Sequence, residues 1–343
     1  MGIIVKKELD PIFETFSLLC LADMEDWRGE SIKQLAEYGL GGEVFFQKHF
    51  KIVEKYIKTF QKHKVDTPQE EFLCHGESET MFILLMALAT ENREYLHQPE
   101  AADFMKLRRL IAYCLVDPEM EPQIKSEKDL PDLSDDSSLL KWMDKADIKV
   151  EDKWYVLDML RRPDYWFTGL MEMIRRNLPA FERAREAVYK PLEKLLQNKG
   201  LDGNNRFTKI TETYIHSQEF YASLAIPMIH VTFLSYGYQG VLITYLDAGK
   251  TARSYPKEWV IRQAKALSDK SKLDILCELK RARKFNLELA ESLGLSPSTV
   301  SHHMNSLLIC DFVTVEKRDG KVYYCLQKES IRGFLNGVEE MLL

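Results

Sequence analysis

The chain has 343 residues, 45% hydrophobic and 29% charged, with 16 Gly and 12 Pro. That length and balance point to about two globular domains and exclude collagen-like and wholly disordered chains. The net charge of −6 argues against a phosphate-rich partner only until its distribution is read: from Lys257 to the end, 14 Lys and Arg face 12 Asp and Glu, a balance of +2 that leaves −8 for the rest.

No apolar stretch approaches the roughly 20 residues that span a bilayer, and Met1 to Asp10 lacks a charged-then-apolar export pattern. A cytoplasmic location with no membrane partner is therefore expected. The six cysteines (Cys20, Cys74, Cys114, Cys277, Cys310 and Cys325) show no CxxC or CxC spacing. They are expected to be reduced and mostly buried, without a disulfide framework or zinc site.

From Asp10 to about Cys114 apolar residues recur at helical spacing, as in Phe13, Phe16, Leu19 and Cys20, or Phe45, Phe46, Phe50, Val53 and Ile57. The stretch from Asp117 to Ser138 is rich in Pro, Ser and acid, and is expected to be a long exposed linker. Helical pattern resumes at Leu139 and runs to Asn198, broken or kinked at Pro163, Pro179 and Pro191, which lack the backbone donor. Between Ser223 and Asp247, IPMIHVTFL and GVLITYL flank SYGYQ, and this pattern predicts one β-hairpin. Gly249 to Pro256 reads as a linker, and EWVIRQAKAL opens a further helix.

A helix-turn-helix follows. Asn286 is a suitable N-cap for LELAESLG, and Ser296 with Pro297 suits the start of LSPSTVSHHMNSLL. Ala290 is the small residue at the crossing, Gly294 the permissive turn residue, and Leu289, Leu293, Leu295 and Val300 the apolar contacts. In the second helix Val300, His303, Met304, Leu307 and Leu308 form the buried stripe, which leaves Ser298, Thr299, Ser301, His302 and Asn305 outward, where short polar groups suit major-groove base edges. FVTVEKR, the turn DG and KVYYCL then predict a wing with Lys317, Arg318 and Lys321 at its tip, placed for phosphates or a minor groove.

The segments ALSDKSKLDILCEL, LELAESLGLSPSTVSHHMNSLL and VTVEKRDGKVYYCL resemble the ArsR family of winged-helix regulators over about the last 85 residues. The resemblance implies a homodimer held by the helices at Lys257 to Leu267 and Ser330 to Leu342. Such a dimer reads double-stranded DNA as an inverted-repeat operator with half-sites roughly 34 Å apart. The sequence departs from the family pattern twice: LELAESLG has no thiol, which excludes metal sensing there, and Asn305 stands where a basic residue is common. Affinity then leans on the wing and on Lys280, Arg281, Arg283 and Lys284.

Bland readings compete with functional ones elsewhere. His303 reads as a packed histidine donating to a backbone carbonyl, His302 as a base contact, and Cys277 and Cys310 as inert groups in the winged-helix core. Cys74, His75, Glu77, Glu79, His216 and His230 match no metal pattern. Gly41-Gly42 reads as a turn, and the aromatic segment around Trp154, Tyr155, Tyr165, Trp166 and Phe167 as core packing or the lining of an apolar pocket. No nucleophile elbow, kinase or P-loop signature occurs, so no catalytic residue, cofactor or metal is expected.

The fold expected is mostly α: a large helical domain over 1–250 with one β-hairpin, sensing an unidentified small-molecule effector, and a winged helix-turn-helix over 256–343 that binds DNA and dimerises. The DNA-binding set is Ser296, Ser298, Thr299, Ser301, His302, Asn305, Lys284, Lys317, Arg318 and Lys321. Two rival readings make the first domain an enzyme acting on a small molecule, or a protein-interaction domain using the acidic segment, each fused to an autoregulatory winged helix.

Overall fold

A computed structural model describes residues 4–343 apart from 39, 69–72, 74–78, 117–126, 131, 132, 147, 149, 198–218, 247–256, 296, 319 and 320. The chain is mostly helical and divides into two units that are not consecutive in sequence. Unit one holds the described residues of Met1–Glu25, Ile52–Leu201 and His216–Val241, and unit two those of Asp26–Lys51 and Leu242–Leu343.

In chain order unit one begins with β1 (Ile4–Leu9) and α1 (Pro11–Ala22). The chain then passes through α2 (Trp27–Glu37) and α3 (Gly42–His49), which belong to unit two, before α4 (Lys51–His63). α5 (Glu79–Glu91), α6 (Phe104–Leu115), α7 (Asp136–Lys145), α8 (Val150–Arg161), α9 (Pro163–Ala187) and α10 (Tyr189–Leu196) follow, and then β2 (Glu219–Ser223), β3 (His230–Thr232) and β4 (Tyr236–Gly240).

α1 starts where Asp10 caps it, accepting from the Ile12 N–H at 3.0 Å with Pro11 in the first position. It is buried almost all round, and the polar Glu14, Thr15 and Ser17 are enclosed along with Ile12, Phe13, Phe16, Leu18 and Leu19. α4 instead buries a stripe of Val53, Tyr56, Ile57 and Phe60 at spacings of three and four. α9 packs against α1, α5, α6 and α8 and buries Phe167, Leu170, Met171, Ile174 and Phe181. Pro179 lies inside α9 without ending it, and Pro163 and Pro191 fall in first turns, where a missing N–H costs no helical bond.

SYGYQ, expected as the turn of the hairpin, instead supplies strand β4, which pairs antiparallel with β3 at one edge of a four-stranded sheet of order β1-β2-β4-β3. β1 and β4 both run parallel to β2, with Val5 opposite Phe220 and Tyr221 opposite Tyr238. GVLITYL, expected as a strand, is a 3-10 turn at Ile243–Leu246. The acidic stretch 117–138 also differs from the exposed linker expected: where described, it buries Leu130 and Leu133 and enters α7 at Asp136.

Two carboxylates pin α1 to this sheet. Asp10 accepts from Arg93 Nη2 and from the Tyr238 hydroxyl, both at 2.7 Å. Glu14, fully buried, accepts from Ser223 Oγ (2.5 Å), Tyr56 OH (2.9 Å) and the N–H groups of Leu224 and Ala225 (each 3.1 Å). Burial pushes its carboxyl up to about 7 against the pull of these donors.

In unit two, Phe45 and His49 of α3 pack on Tyr245 of the 3-10 turn, and the Lys265 ammonium donates to the Ala36 carbonyl at 2.9 Å. Those aromatic contacts explain why α2 and α3 group with the C-terminal elements. The winged helix comprises α11 (Lys257–Leu267), α12 (Lys270–Arg281), α13 (Asn286–Leu293), α14 (Pro297–Ile309), β5 (Val313–Arg318), β6 (Lys321–Leu326) and α15 (Lys328–Leu342). Its core gathers Ile275, Leu279, Leu289, Val300, Met304, Leu307, Phe312 and Tyr324. Cys310 is buried there, but Cys277, expected in that core, is exposed on α12 because Ile275, Leu276 and Leu279 take the inner face.

Candidate nucleic-acid interface

α13 and α14 meet at Gly294, whose φ of 65° puts it in the left-handed region that glycine adopts without strain. The Leu295 N–H closes the turn on the Ala290 carbonyl at 3.0 Å. Behind α14, Val300, Met304, Leu307 and Leu308 are buried. In front, Thr299, His302 and Asn305 are exposed, spaced by three residues along one face. Ser298 lies in α14 with its side chain outside the described residues, and Ser296 is wholly outside them.

Ser301 is not a free outward group: it is half-buried, and its hydroxyl accepts from Asn286 Nδ2 at 2.9 Å. Asn286 is not the N-cap that the sequence suggests. Phe285 takes that position, its N–H donating to Glu288 Oε2 at 3.1 Å, and Asn286 is the first helical residue, 1% exposed. The cap shifts by one because Glu288, three residues after Phe285, reaches back to its N–H. His303 is half-buried, as a residue of the inner stripe, but its Nδ1 finds no partner among the described residues, so the expected bond to a backbone carbonyl does not form. Desolvation holds its imidazole below the usual histidine range.

β5 and β6 pair from Val313 opposite Leu326 to Arg318 opposite Lys321. Lys284 joins this ribbon through its backbone, donating to the Tyr324 carbonyl at 3.3 Å and accepting from the Tyr324 N–H at 2.8 Å. Phe285 meets the Tyr323 ring edge-on at 5.8 Å between centroids, and the Lys321 ammonium stands 4.6 Å from the Phe285 ring centre. Arg318 grips Glu316 with Nε at 2.8 Å and Nη2 at 2.6 Å, and Arg283 reaches the same carboxylate at 3.4 Å. The Arg318 bonds, first, and the nearby Arg283 hold Glu316 below the usual carboxylate range. The side chain of Lys317 is outside the described residues.

The Lys284 ammonium is half-buried between Glu278 and Ser292 Oγ, each at 2.6 Å. Phosphate contact by Lys284 requires that pair to open, whereas Arg318 is exposed and its pair with Glu316 is of the kind worth about 0–1 kcal/mol. Exposed pairs of this strength yield readily to a phosphate. The partner roles of Asn286, Phe285 and Glu316 escape a reading of the linear sequence. The single available signal was Glu288 at the third position after Phe285, which marks the true cap.

Among the described residues no group of three or more His, Cys, Asp and Glu could hold a metal ion. Cys74, His75 and His216 are outside those residues, as is the Glu79 side chain, and His230 is half-buried on β3 beside Phe220. No described helix is long and apolar enough to cross a membrane. Of the aromatic cluster, Trp166 and Phe167 are buried while Trp154, Tyr155 and Tyr165 face solvent.

A family model described as "Bacterial regulatory protein, arsR family" matches residues 269–315, which run from the cap of α12 through α14 into β5. A relative, the arsenical resistance operon repressor of Bacillus subtilis (strain 168), is 33% identical over 73 residues, 21% of this chain and 70% of that protein. No solved structure matches the chain.

Proposed function

Because this chain belongs to the ArsR family and is a DNA-binding transcriptional regulator, we propose that it reads an operator through Thr299, His302 and Asn305 while the wing engages the backbone. The observation that carries this reading is the exposed polar row on α14, backed by a continuous apolar stripe and flanked by a ribbon bearing Arg318 and Lys321. The groups on the row are a hydroxyl, an imidazole and an amide, which pair with base edges in the major groove. Arg318 and Lys321 supply the sequence-independent phosphate term. No catalytic step is assigned to the chain.

The finer parts of the proposal are a homodimer and an effector. Ile261 of α11 and Leu335, Met341 and Leu342 of α15 are exposed large apolar groups, and this supports pairing of two copies through those helices. Sedimentation of the full chain at micromolar concentration checks it: a monomer there removes the dimer. Unit one, which a winged helix does not need for binding DNA, is assigned to sensing. A cleft of about 320 Å³ beside α9, lined by Tyr165, Trp166, Thr168 and Glu172 among others, falls within the size range of small-ligand pockets and supports that assignment.

Anisotropy titration of the full chain onto its own upstream DNA, beside a Thr299/His302/Asn305→Ala variant, tests the main reading. Wild type is expected to prefer that DNA over random competitor, and the variant to lose most of the preference, at about 1–3 kcal/mol per base contact. Equal binding of both proteins to both DNAs removes α14 as the reader. Repeating the titration with fractionated small molecules tests the effector. If no fraction shifts the affinity, unit one loses its sensing role.

A further inference from the structure

Four serine and threonine side chains in helices of this chain donate their protons to the carbonyl four residues back. Thr15 does so to Pro11, Thr59 to Lys55, Thr90 to Met86 and Ser292 to Glu288, all at 2.5–2.8 Å. Ser301 makes a different contact. Its Oγ accepts the Asn286 amide across the turn, fifteen residues apart in sequence, and no group among the described residues accepts its proton. Asn286 is buried at the first position of α13, and Glu288 satisfies the Phe285 N–H.

We infer that Asn286 is a positioning residue that fixes Ser301 as a hydrogen-bond donor toward a base edge, so that a residue hidden from DNA sets part of the base preference. The inference rests on the DNA-reading role of α14 proposed above. An amide N–H can only donate, so Ser301 accepts from it and keeps its own proton to give, and on the proposed reading it gives it on the half-exposed side of the helix. In the major groove such a donor suits guanine O6 or N7, adenine N7 and thymine O4, and opposes the cytosine amino group. Without the Asn286 amide, Ser301 is free to turn its proton onto the preceding helical turn, as Thr15, Thr59, Thr90 and Ser292 do, and the donor is lost.

The test uses the full chain and compares affinity for its upstream DNA with affinity for random duplex, across a salt series. The informative variant is Asn286→Asp. It has the same shape and suits a first helical position, but its carboxylate accepts the Ser301 proton. The contact survives and the outward donor does not. Asn286→Asp, Asn286→Ala and Ser301→Ala are each expected to lower the specific-to-random affinity ratio about 3- to 10-fold, the range of one hydrogen bond. The double alanine variant should lose no more than either single one, and Ser301→Thr, which keeps a hydroxyl, should retain the ratio. The slope of log affinity for random DNA against log salt is expected to be unchanged in Asn286→Ala and Ser301→Ala.

Retention of the ratio by Asn286→Asp overturns the inference, because only a packing role would survive that exchange. An equal loss on specific and random DNA in Ser301→Ala also overturns it, by making phosphate the acceptor. If Asn286→Ala does not fold, Asn286→Asp and Ser301→Ala decide alone. A Thr299/His302/Asn305→Ala variant in the same series separates the two failures. If that variant loses the ratio while Asn286→Asp keeps it, the inference falls and the reader stands. If wild type itself shows a ratio of one, both fall.

Discussion

Replacing Glu14 by Gln should change how the stability of the chain depends on pH. Glu14 is fully buried and its folded-state carboxyl lies at about 7, against an ordinary value of 4.5, with desolvation as the main cause. Below about pH 4.5 the carboxyl is protonated in both folded and unfolded chains and carries no penalty. Between about 4.5 and 7 the unfolded chain ionises while the folded one keeps its proton, so stability falls as pH rises; above 7 the loss is complete. A separation of that size corresponds to roughly 3 kcal/mol. His230 works in the opposite direction. Burial lowers its imidazole to about 4, so the folded form resists protonation, and stability rises with pH from about 4 to the ordinary 6.5. The wild-type profile alone therefore mixes two opposed slopes, and the difference between wild type and Glu14→Gln isolates the carboxyl.

The assay is urea unfolding of both proteins at pH 5 and pH 7.5, followed by fluorescence. Of the five tryptophans, Trp142, Trp154 and Trp166 lie in unit one. At pH 5 the variant is expected to be the less stable, by about 1–3 kcal/mol, because its amide sets a donor against the Leu224 and Ala225 N–H groups. At pH 7.5 the deficit should shrink by roughly 3 kcal/mol and reach zero or reverse, since the variant carries no buried charge. A deficit equal at both pH values, or one that grows with pH, refutes the account of Glu14 as a carboxylate penalised by burial. Growth with pH would mean that the four donors outweigh desolvation.

Two further outcomes follow from the winged helix. Glu316→Gln removes the carboxylate that holds Arg318 and Arg283, so affinity for random DNA should rise severalfold at low salt with a steeper salt slope; unchanged affinity in anisotropy titrations would mean that neither arginine reaches a phosphate. Gly294→Ala places a Cβ where no atom stands within 4 Å, so its cost is the left-handed backbone alone, about 1–2 kcal/mol by urea unfolding. A loss above about 4 kcal/mol would instead indicate that the turn between α13 and α14 rearranges.

Much of the reading unit was legible in the linear sequence because its determinants are local. The stripe of Val300, Met304 and Leu307, the glycine at 294, the proline at 297 and the paired strands of the wing all act within a few residues of themselves, and each appears where its spacing puts it. The polar face of α14 was legible for the same reason, but the half-burial of Ser301 and its contact with Asn286 were not. Its orientation depends on Asn286, and Asn286 in turn on whether Phe285 or Asn286 begins the helix, a choice settled by the reach of Glu288.

In unit one the balance reverses. Helical periodicity identified the helices, but β1 pairs with a strand more than two hundred residues later, and a short segment rich in lysine carries no sign of a partner at that distance. The same holds for Glu14, which looks like one polar residue in an apolar helix until α4 and the end of β2 converge on it. Sequence alone determined the family, the helix-turn-helix and its wing, since those rest on spacing and on residues that set their own backbone. Which carboxylates are buried, which serine meets a buried amide and which helices join which unit were decided only by tertiary structure, because each depends on groups brought together by folding and close nowhere along the chain.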